Sequence, residues 1–222
     1  MKKLDGLRFL QENFPRLTVD CVFVDKVENL DEKALIKKEE AEQIWRVRGG
    51  HKIGSELNMP QGSFKDIISL KRYMKEQQRK DANMEFVIHS VSPKYFTAPF
   101  VGTLAVYNNY QNPGMRIELQ KVTRELVENI DKKGGKRPRD WEACLILDYE
   151  FRNKFPKIRR NNDVNLEEVK NAIAVIHEVG EEIFDIYDKQ GNDIDTFTRF
   201  NIYDLGQVLF DDHRSVESFV PK

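Results

Sequence analysis

Strand-like and helix-like segments alternate along this chain, and the alternation limits the folds open to it. Runs rich in β-branched and aromatic residues, bounded by turn residues, predict strands at 85–91, 101–108 and 115–119. An amphipathic pattern over 165–187 predicts the longest helix, and a turn ending at Gly206 separates the last two predicted strands. This mixture favours an α+β or α/β architecture.

The first third of the chain combines helical patterns with a glycine-rich stretch. Helices are predicted over 4–14 and 31–45, and a third helix is predicted from an N-cap at Ser63 to Lys80. Between the last two, residues 46–59 contain three glycines, which predict a loop rather than a regular element.

Composition and charge exclude several classes of protein. Lysine and arginine number 36 against 37 acidic residues, and a net charge of -1 argues against a general nucleic-acid coat. Cys21 and Cys144 are too few for a disulfide framework, so buried thiols in a reducing cytosol are expected. No apolar run approaches the roughly 18 residues of a membrane span, and Asp5 and Arg8 interrupt any signal peptide. A cytoplasmic protein with no membrane partner is therefore expected.

The first candidate site is the sequence RVRGG at 46–50. Adjacent glycines, here Gly49 and Gly50, let backbone N–H groups approach an anion, and Arg48 would donate a pair of hydrogen bonds to phosphate oxygens. The alternative is a tight surface turn that contains an arginine. The patterns GxGxxG and GxxxxGKS/T do not occur in the sequence, so ordinary Rossmann and P-loop sites are not expected.

The second candidate is the charged end of the last strand, Asp211-Asp212-His213-Arg214. Neighbouring carboxylates at a strand end can hold magnesium together with substrate phosphates, and an arginine beside them can bind the same phosphates. The alternatives are solvated charges and, less favoured, a transition-metal site that joins His213 to His51.

The third candidate is the basic run at 132–160, which holds ten lysines and arginines against four acidic residues, a local charge of +6. Such a surface could bind RNA or DNA, with Trp141, Tyr149 and Phe155 available for stacking. The alternative is a solvated basic face whose aromatic residues belong to the core.

The order of these segments resembles one known family. The stretches are LDGLRFL followed by FPRLTVDCVFVD, VRGG followed by GSF, the strand pair EFVIHSV and VGTLAVYNN, RELVE at 124–128, and the closing TRFNIYDLGQVLFDDHRS. In that order they resemble the ATP-grasp nucleotide-binding domain of phosphoenolpyruvate synthase and pyruvate phosphate dikinase, also present in rifampicin phosphotransferases. The family's metal-binding glutamate falls on Phe200, and its closing glutamine falls on Asp212. The swivelling histidine domain and the phosphoenolpyruvate-binding barrel are missing.

The resemblance implies an α+β, ATP-grasp-like fold of two small subdomains, 1–84 and 85–222, with a nucleotide cleft between them. It also implies ATP and magnesium as cofactors. The residues expected to bind the nucleotide are Lys3, Arg48, Gly49, Gly50 and Glu125. The metal ligands would be Asp211 and Asp212, and the catalytic groups Asp212 and Arg214, with the arginine stabilising charge on the transferring phosphoryl group.

Three functions follow as hypotheses. The first is an ATP-grasp-like nucleotide-binding protein that transfers phosphate, with magnesium, to an unidentified acceptor. The second is a catalytically inactive ATP-grasp-like interaction module. The third, less favoured, is a nucleic-acid-associated protein that uses the basic surface at 132–160. A partner polypeptide that supplies the missing domains is a further expected partner.

Overall fold

The structure is a computed structural model, and it describes residues 3–36, 44–51, 59–91, 98–108, 113–122, 143–151, 153, 155–191, 195–203 and 206–215. The chain divides into two compact units, an N-terminal unit of residues 2–96 and a C-terminal unit of residues 97–222. The sequence predicted a boundary after residue 84. The strand that begins at Met84 pairs with the N-terminal sheet, which keeps that strand in the N-terminal unit.

The N-terminal unit is built on a four-stranded antiparallel sheet with the order β1-β4-β2-β3. Its elements are α1 (Lys3–Asn13), β1 (Cys21–Val24), a short 3-10 helix (Val27–Asn29), α2 (Glu32–Ile36), β2 (Ile44–His51), β3 (Gln61–Phe64), α3 (Ile67–Lys80) and β4 (Met84–Val91).

Helices cover both faces of this sheet, because β4 presents apolar side chains in both directions. Phe86 and Ile88 belong to the core formed with Leu70 of α3, whereas Val87, between them, packs with Leu4 of α1. Alternate residues of a strand point to opposite faces, so one strand serves two cores.

Three local predictions in this unit are wrong. Trp45 is not in a helix, since β2 begins at Ile44, and RVRGG lies in the central strand β2 rather than in a loop. The alternation decides this: Trp45 and Val47 are buried in the α3 core, and Arg46 and Arg48, which alternate with them, lie on the other face. Ser63 lies in β3, and the N-cap of α3 is Asp66, whose side chain accepts a hydrogen bond from the Ser69 backbone N–H.

The C-terminal unit contains a six-stranded antiparallel sheet with the order β10-β9-β5-β6-β7-β8. Its elements are β5 (Phe100–Tyr107), β6 (Gly114–Lys121), β7 (Leu145–Glu150), β8 (Lys157–Asn161), α4 (Leu166–Lys189), β9 (Thr196–Ile202) and β10 (Val208–Ser215).

Helix α4 packs against one face of this sheet, here called the helix-side face. At Gly180 the helix comes so close that an added Cβ would lie 2.7 Å from Met115 Sδ. Leu104, Ile117 and Phe200 are fully buried on this face. The opposite face, here called the polar face, carries the charged side chains of the sheet, because apolar and polar residues alternate along its strands.

The predicted strands and long helix of this half are confirmed, as is the α+β class, since two antiparallel sheets carry helices on their faces. Residues 123–142, which include RELVE and the first part of the basic run, lie outside the described residues. Within the described residues, no helix is both long and apolar enough to cross a membrane.

Candidate functional site

The polar face of the C-terminal sheet is the richest charged surface that the structure describes. Acidic and basic side chains stand on β6, β7, β9 and β10 and pair with one another across the strands. The paired residues are Arg116, Asp148, Arg199, Asp211, Asp212 and Arg214.

Two arginine–aspartate pairs occupy the β9–β10 end of this face, and together they are called the β10 quartet (Arg199, Asp211, Asp212, Arg214). Arg199 donates from Nε and Nη2 to the two carboxylate oxygens of Asp211, both at 2.6 Å. Arg214 donates in the same way to Asp212, at 2.9 and 2.8 Å. Both pairs are therefore bidentate, the strongest form of this contact.

An irregularity in the strand explains how two successive aspartates come to share one face. The β9–β10 register shifts between Phe210 and Asp212, so Asp211 is an extra residue in the ladder. Phe210 packs edge-on against Phe200 in the core, whereas Asp212 lies opposite Arg199. A regular strand would send Asp211 and Asp212 to opposite faces, and the bulge removes that alternation.

Burial gives the quartet a low-dielectric surrounding. The Asp212 side chain is 6% exposed and the Arg214 side chain 23%, and those of Arg199 and Asp211 are 20% exposed each. Burial opposes the charge of Arg199, but the Asp211 carboxylate outweighs this effect and raises the pKa of the guanidinium above its ordinary value. The arginine therefore keeps its charge at every accessible pH.

His213 does not share the quartet's face. It is fully buried on the helix-side face, where Nδ1 is hydrogen-bonded to Thr198 Oγ1 at 2.6 Å and Nε2 to the Tyr187 hydroxyl at 3.2 Å. Burial lowers the pKa of His213 to about 3, so its ring is neutral. His51, the other histidine of the less favoured metal hypothesis, lies in β2 of the N-terminal unit, where its Nδ1 is 3.1 Å from a carboxylate oxygen of Asp81.

A second charged cluster lies at the other end of the polar face. Arg116 donates two hydrogen bonds to Asp148, at 2.7 and 3.2 Å, and Arg159 donates a third at 2.7 Å. The hydrogen bond from Arg116, followed by that from Arg159, lowers the pKa of Asp148. One carboxylate thus holds two guanidinium groups, and Glu118 Oε1, 4.0 Å from Arg116 Nη1, adds a second negative charge at this end of the face.

The residues of the β10 quartet do not fit the predicted magnesium site. All four carboxylate oxygens of Asp211 and Asp212 already accept a guanidinium N–H. Within the described part of the chain, no three histidine, cysteine, aspartate or glutamate side chains form a metal-binding group. Phe200, where the family resemblance places a glutamate, is buried in the core on the helix-side face. Magnesium at these aspartates stays a prediction, and none of the chemistry below depends on it.

The N-terminal unit carries a pair of arginines on its central strand β2. Arg46 and Arg48 are two residues apart on β2 and therefore share one face of the sheet, the face on which Val87 packs with α1. Both are half-buried. Two guanidinium groups on a central strand are a fixed pair of donors suited to phosphate.

Gly49 and Gly50, which follow Arg48, were predicted to bring backbone N–H groups close to an anion, and the structure gives Gly49 a different role. The backbone N–H of Gly49 donates to the Pro60 carbonyl oxygen at 2.8 Å, so it is used within the protein. A Cβ at this position would lie 2.9 Å from Pro60 Cγ. Close packing therefore explains the first glycine, and Gly50 lies in register with Glu85 of β4.

The other predicted residues are placed as follows. Arg48 belongs to the N-terminal unit, and Asp211, Asp212 and Arg214 belong to the C-terminal unit, so their convergence on one nucleotide stays a prediction. Lys3 begins α1, but its side chain lies outside the described part, as does the whole of Glu125.

Four residues of these sites were given no role by the sequence analysis, namely Arg46, Arg116, Asp148 and Arg199. Arg46 could have been found from the alternation in IWRVR, which places Arg46 and Arg48 on the same side of a strand. The other three depend on cross-strand pairing, and a single sequence gives no sign of it.

Comparison with known proteins finds a match only in structure. No family model matches the chain, and no curated protein sequence does. The fold is similar to that of the D-alanine-D-alanine ligase from Coxiella burnetii, at 12% identity and a TM-score of 0.50, over 96% of this chain and 46% of the ligase. The L-amino acid ligase from Bacillus licheniformis matches over 96% of this chain and 42% of its own, at 11% identity and a TM-score of 0.48.

The fold is ATP-grasp-like. This confirms the predicted two-part α+β architecture. The chain spans less than half the length of the two ligases reported above. The more specific resemblance to the dikinase-type domain stays a prediction.

Proposed function

We propose that this protein binds a purine nucleotide, with ATP the expected ligand, as an ATP-grasp-like module. The observation that carries the proposal is the pair of half-buried arginines, Arg46 and Arg48, on one face of the central strand β2. It is supported by the fold, which is similar to that of a D-alanine-D-alanine ligase over nearly the whole chain.

The arginine pair suits a polyphosphate because its positions are fixed by the sheet. β2 is hydrogen-bonded to β3 on one side and to β4 on the other, so neither arginine can shift with its backbone. Same-face residues two apart in a strand are about 7 Å apart, a spacing that lets two guanidinium groups contact adjacent phosphates. Each would form charge-assisted hydrogen bonds with phosphate oxygens.

Phosphoryl transfer to an acceptor is the further activity that the dikinase resemblance implies, with Asp212 and Arg214 as its catalytic groups. Arg214 would then stabilise charge on the transferring group. The geometry supports nucleotide binding better than phosphoryl transfer, because the Asp212 and Arg214 side chains are hydrogen-bonded to each other. A catalytically inactive ATP-grasp-like interaction module, which would bind a partner polypeptide, is the rival hypothesis, and it predicts no stabilisation by ATP.

A thermal-shift series tests the binding. ATP should raise the melting temperature of the wild type by mass action, in proportion to the logarithm of its concentration above Kd. Arg48→Ala and Arg46→Ala should each reduce the shift. Arg72→Ala is the matched control, because Arg72 is exposed on α3, which packs on the opposite face of the same sheet, and it should leave the shift unchanged. An unchanged melt of the wild type at millimolar ATP would refute nucleotide binding.

One observation favours the nucleic-acid hypothesis as a second candidate. The Phe155 side chain is 82% exposed, beside the edge strand β8, all five residues of which are exposed. Lys157, Arg159 and Arg160 supply positive charge along that strand. An exposed aromatic ring among cations is typical of surfaces that bind single strands by stacking and phosphate contacts.

Anisotropy with a labelled single-stranded oligonucleotide tests this second candidate. Binding should weaken steeply as salt rises, and Phe155→Ala should reduce it without changing the fold. Ile68→Ala, which removes another highly exposed apolar side chain on α3, is the control. Binding that is absent or independent of salt would eliminate the hypothesis.

A further inference from the structure

We infer that Arg199 and Arg214 close the carboxylates of Asp211 and Asp212 to divalent cations. The inference concerns the β10 quartet alone and does not depend on the proposed nucleotide binding.

The contacts of the quartet leave each carboxylate neutralised. Asp211 receives two hydrogen bonds from Arg199, and Asp212 receives two from Arg214. With two arginines and two aspartates, the quartet has no net charge to attract a cation. A magnesium ion about 2.1 Å from a carboxylate oxygen would also lie close to a fixed guanidinium charge of the same sign, and the two would repel.

Burial adds a second obstacle. Magnesium keeps several of its water ligands in most protein sites. The Asp212 side chain is 6% exposed, which leaves little room for a hydrated ion beside it. The ion would have to lose water and displace Arg214 at the same time.

The sheet makes that displacement difficult. Arg199 lies on β9, which is paired with β10 on one side and β5 on the other, and it is directly opposite Asp212 in the register. The bulge keeps Asp211 on the same face, within reach of Arg199. The sheet thus holds both arginines against the carboxylates that they neutralise.

Manganese binding, followed by electron paramagnetic resonance, tests the closure without any nucleotide, since Mn²⁺ prefers the same oxygen ligands as Mg²⁺. The wild type should have no Mn²⁺ site at the quartet. Any Mn²⁺ that the wild type binds elsewhere should therefore be bound equally well by the double variant Asp211→Asn/Asp212→Asn. The double variant Arg199→Gln/Arg214→Gln leaves both carboxylates charged and should gain a Mn²⁺ site. A wild-type site lost in the asparagine variant, or a folded glutamine variant with no gain, would overturn the closure.

Discussion

Arg199 lies opposite Asp212 in the register between β9 and β10, yet it donates both ends of its guanidinium fork to Asp211, the residue that the bulge adds. Asp212 is held instead by Arg214, two residues farther along the same strand. Because β10 has one extra residue, the face carries two neighbouring ion pairs, Arg199–Asp211 and Arg214–Asp212, instead of a single cross-strand pair. The same extra residue keeps His213 directed into the core.

The Arg199–Asp211 pair should contribute measurably to stability. Asp211→Asn removes the negative charge and leaves a guanidinium only 20% exposed without its partner, so the free energy of unfolding should fall by about 2–4 kcal/mol. Urea denaturation measures the change. Glu76→Gln is the control, because its ion pair with Lys80 is more than half exposed and should contribute much less to stability. Equal effects of the two substitutions would show that burial does not strengthen the quartet.

Gly102 should tolerate no side chain. A Cβ there would overlap both the Glu118 carbonyl oxygen and the Phe200 ring, and neither backbone nor a core ring can move aside. Gly102→Ala should therefore destabilise the protein by about 2–3 kcal/mol or more. Thr103→Ala, one residue along and half-buried on the polar face, should cost much less. A melting temperature of Gly102→Ala equal to that of the wild type would contradict the close packing of β5.

His213 should make stability depend on pH on the acid side. Its pKa is lowered to about 3 by burial, whereas an unfolded histidine titrates near pH ~6.5. Between these values the unfolded chain binds a proton that the folded chain does not. Stability should therefore be lost as pH falls through this window, by up to about 1.4 kcal/mol per pH unit.

Denaturation curves from pH 7 to 4 measure this slope. His213→Gln keeps a group that can hydrogen-bond to Thr198 but cannot take up the proton, so its curve should be flatter. Parallel curves for the variant and the wild type would show that another group controls the acid side.

Two strands and one turn illustrate what the sequence could predict. The runs rich in β-branched and aromatic residues at 85–91 and 101–108 correspond to β4 and β5, and the turn before β10 contains Gly206 at a positive φ of 77°, as a tight turn requires. These signals are local. They depend on residues that are neighbours in sequence, and a single chain is enough to show them.

The misinterpreted stretch RVRGG shows where local signals fail. Two glycines in succession suggest a loop. The strand has a glycine at position 49 for another reason, because Pro60, eleven residues away, packs where a Cβ would lie. The arginine–aspartate pairs fail for a related reason, since Arg116 and Asp148 are 32 residues apart and only the β6–β7 register joins them. The family resemblance also could not show that Asp211 and Asp212 form hydrogen-bonded ion pairs with arginines.

The proposal that the nucleotide binds at Arg46 and Arg48 is tested most directly by hydrogen exchange with mass spectrometry, with and without ATP. Peptides that cover β2 should exchange more slowly when ATP is present, and the effect should be lost in Arg48→Ala. No change anywhere along the chain at saturating ATP would contradict nucleotide binding itself.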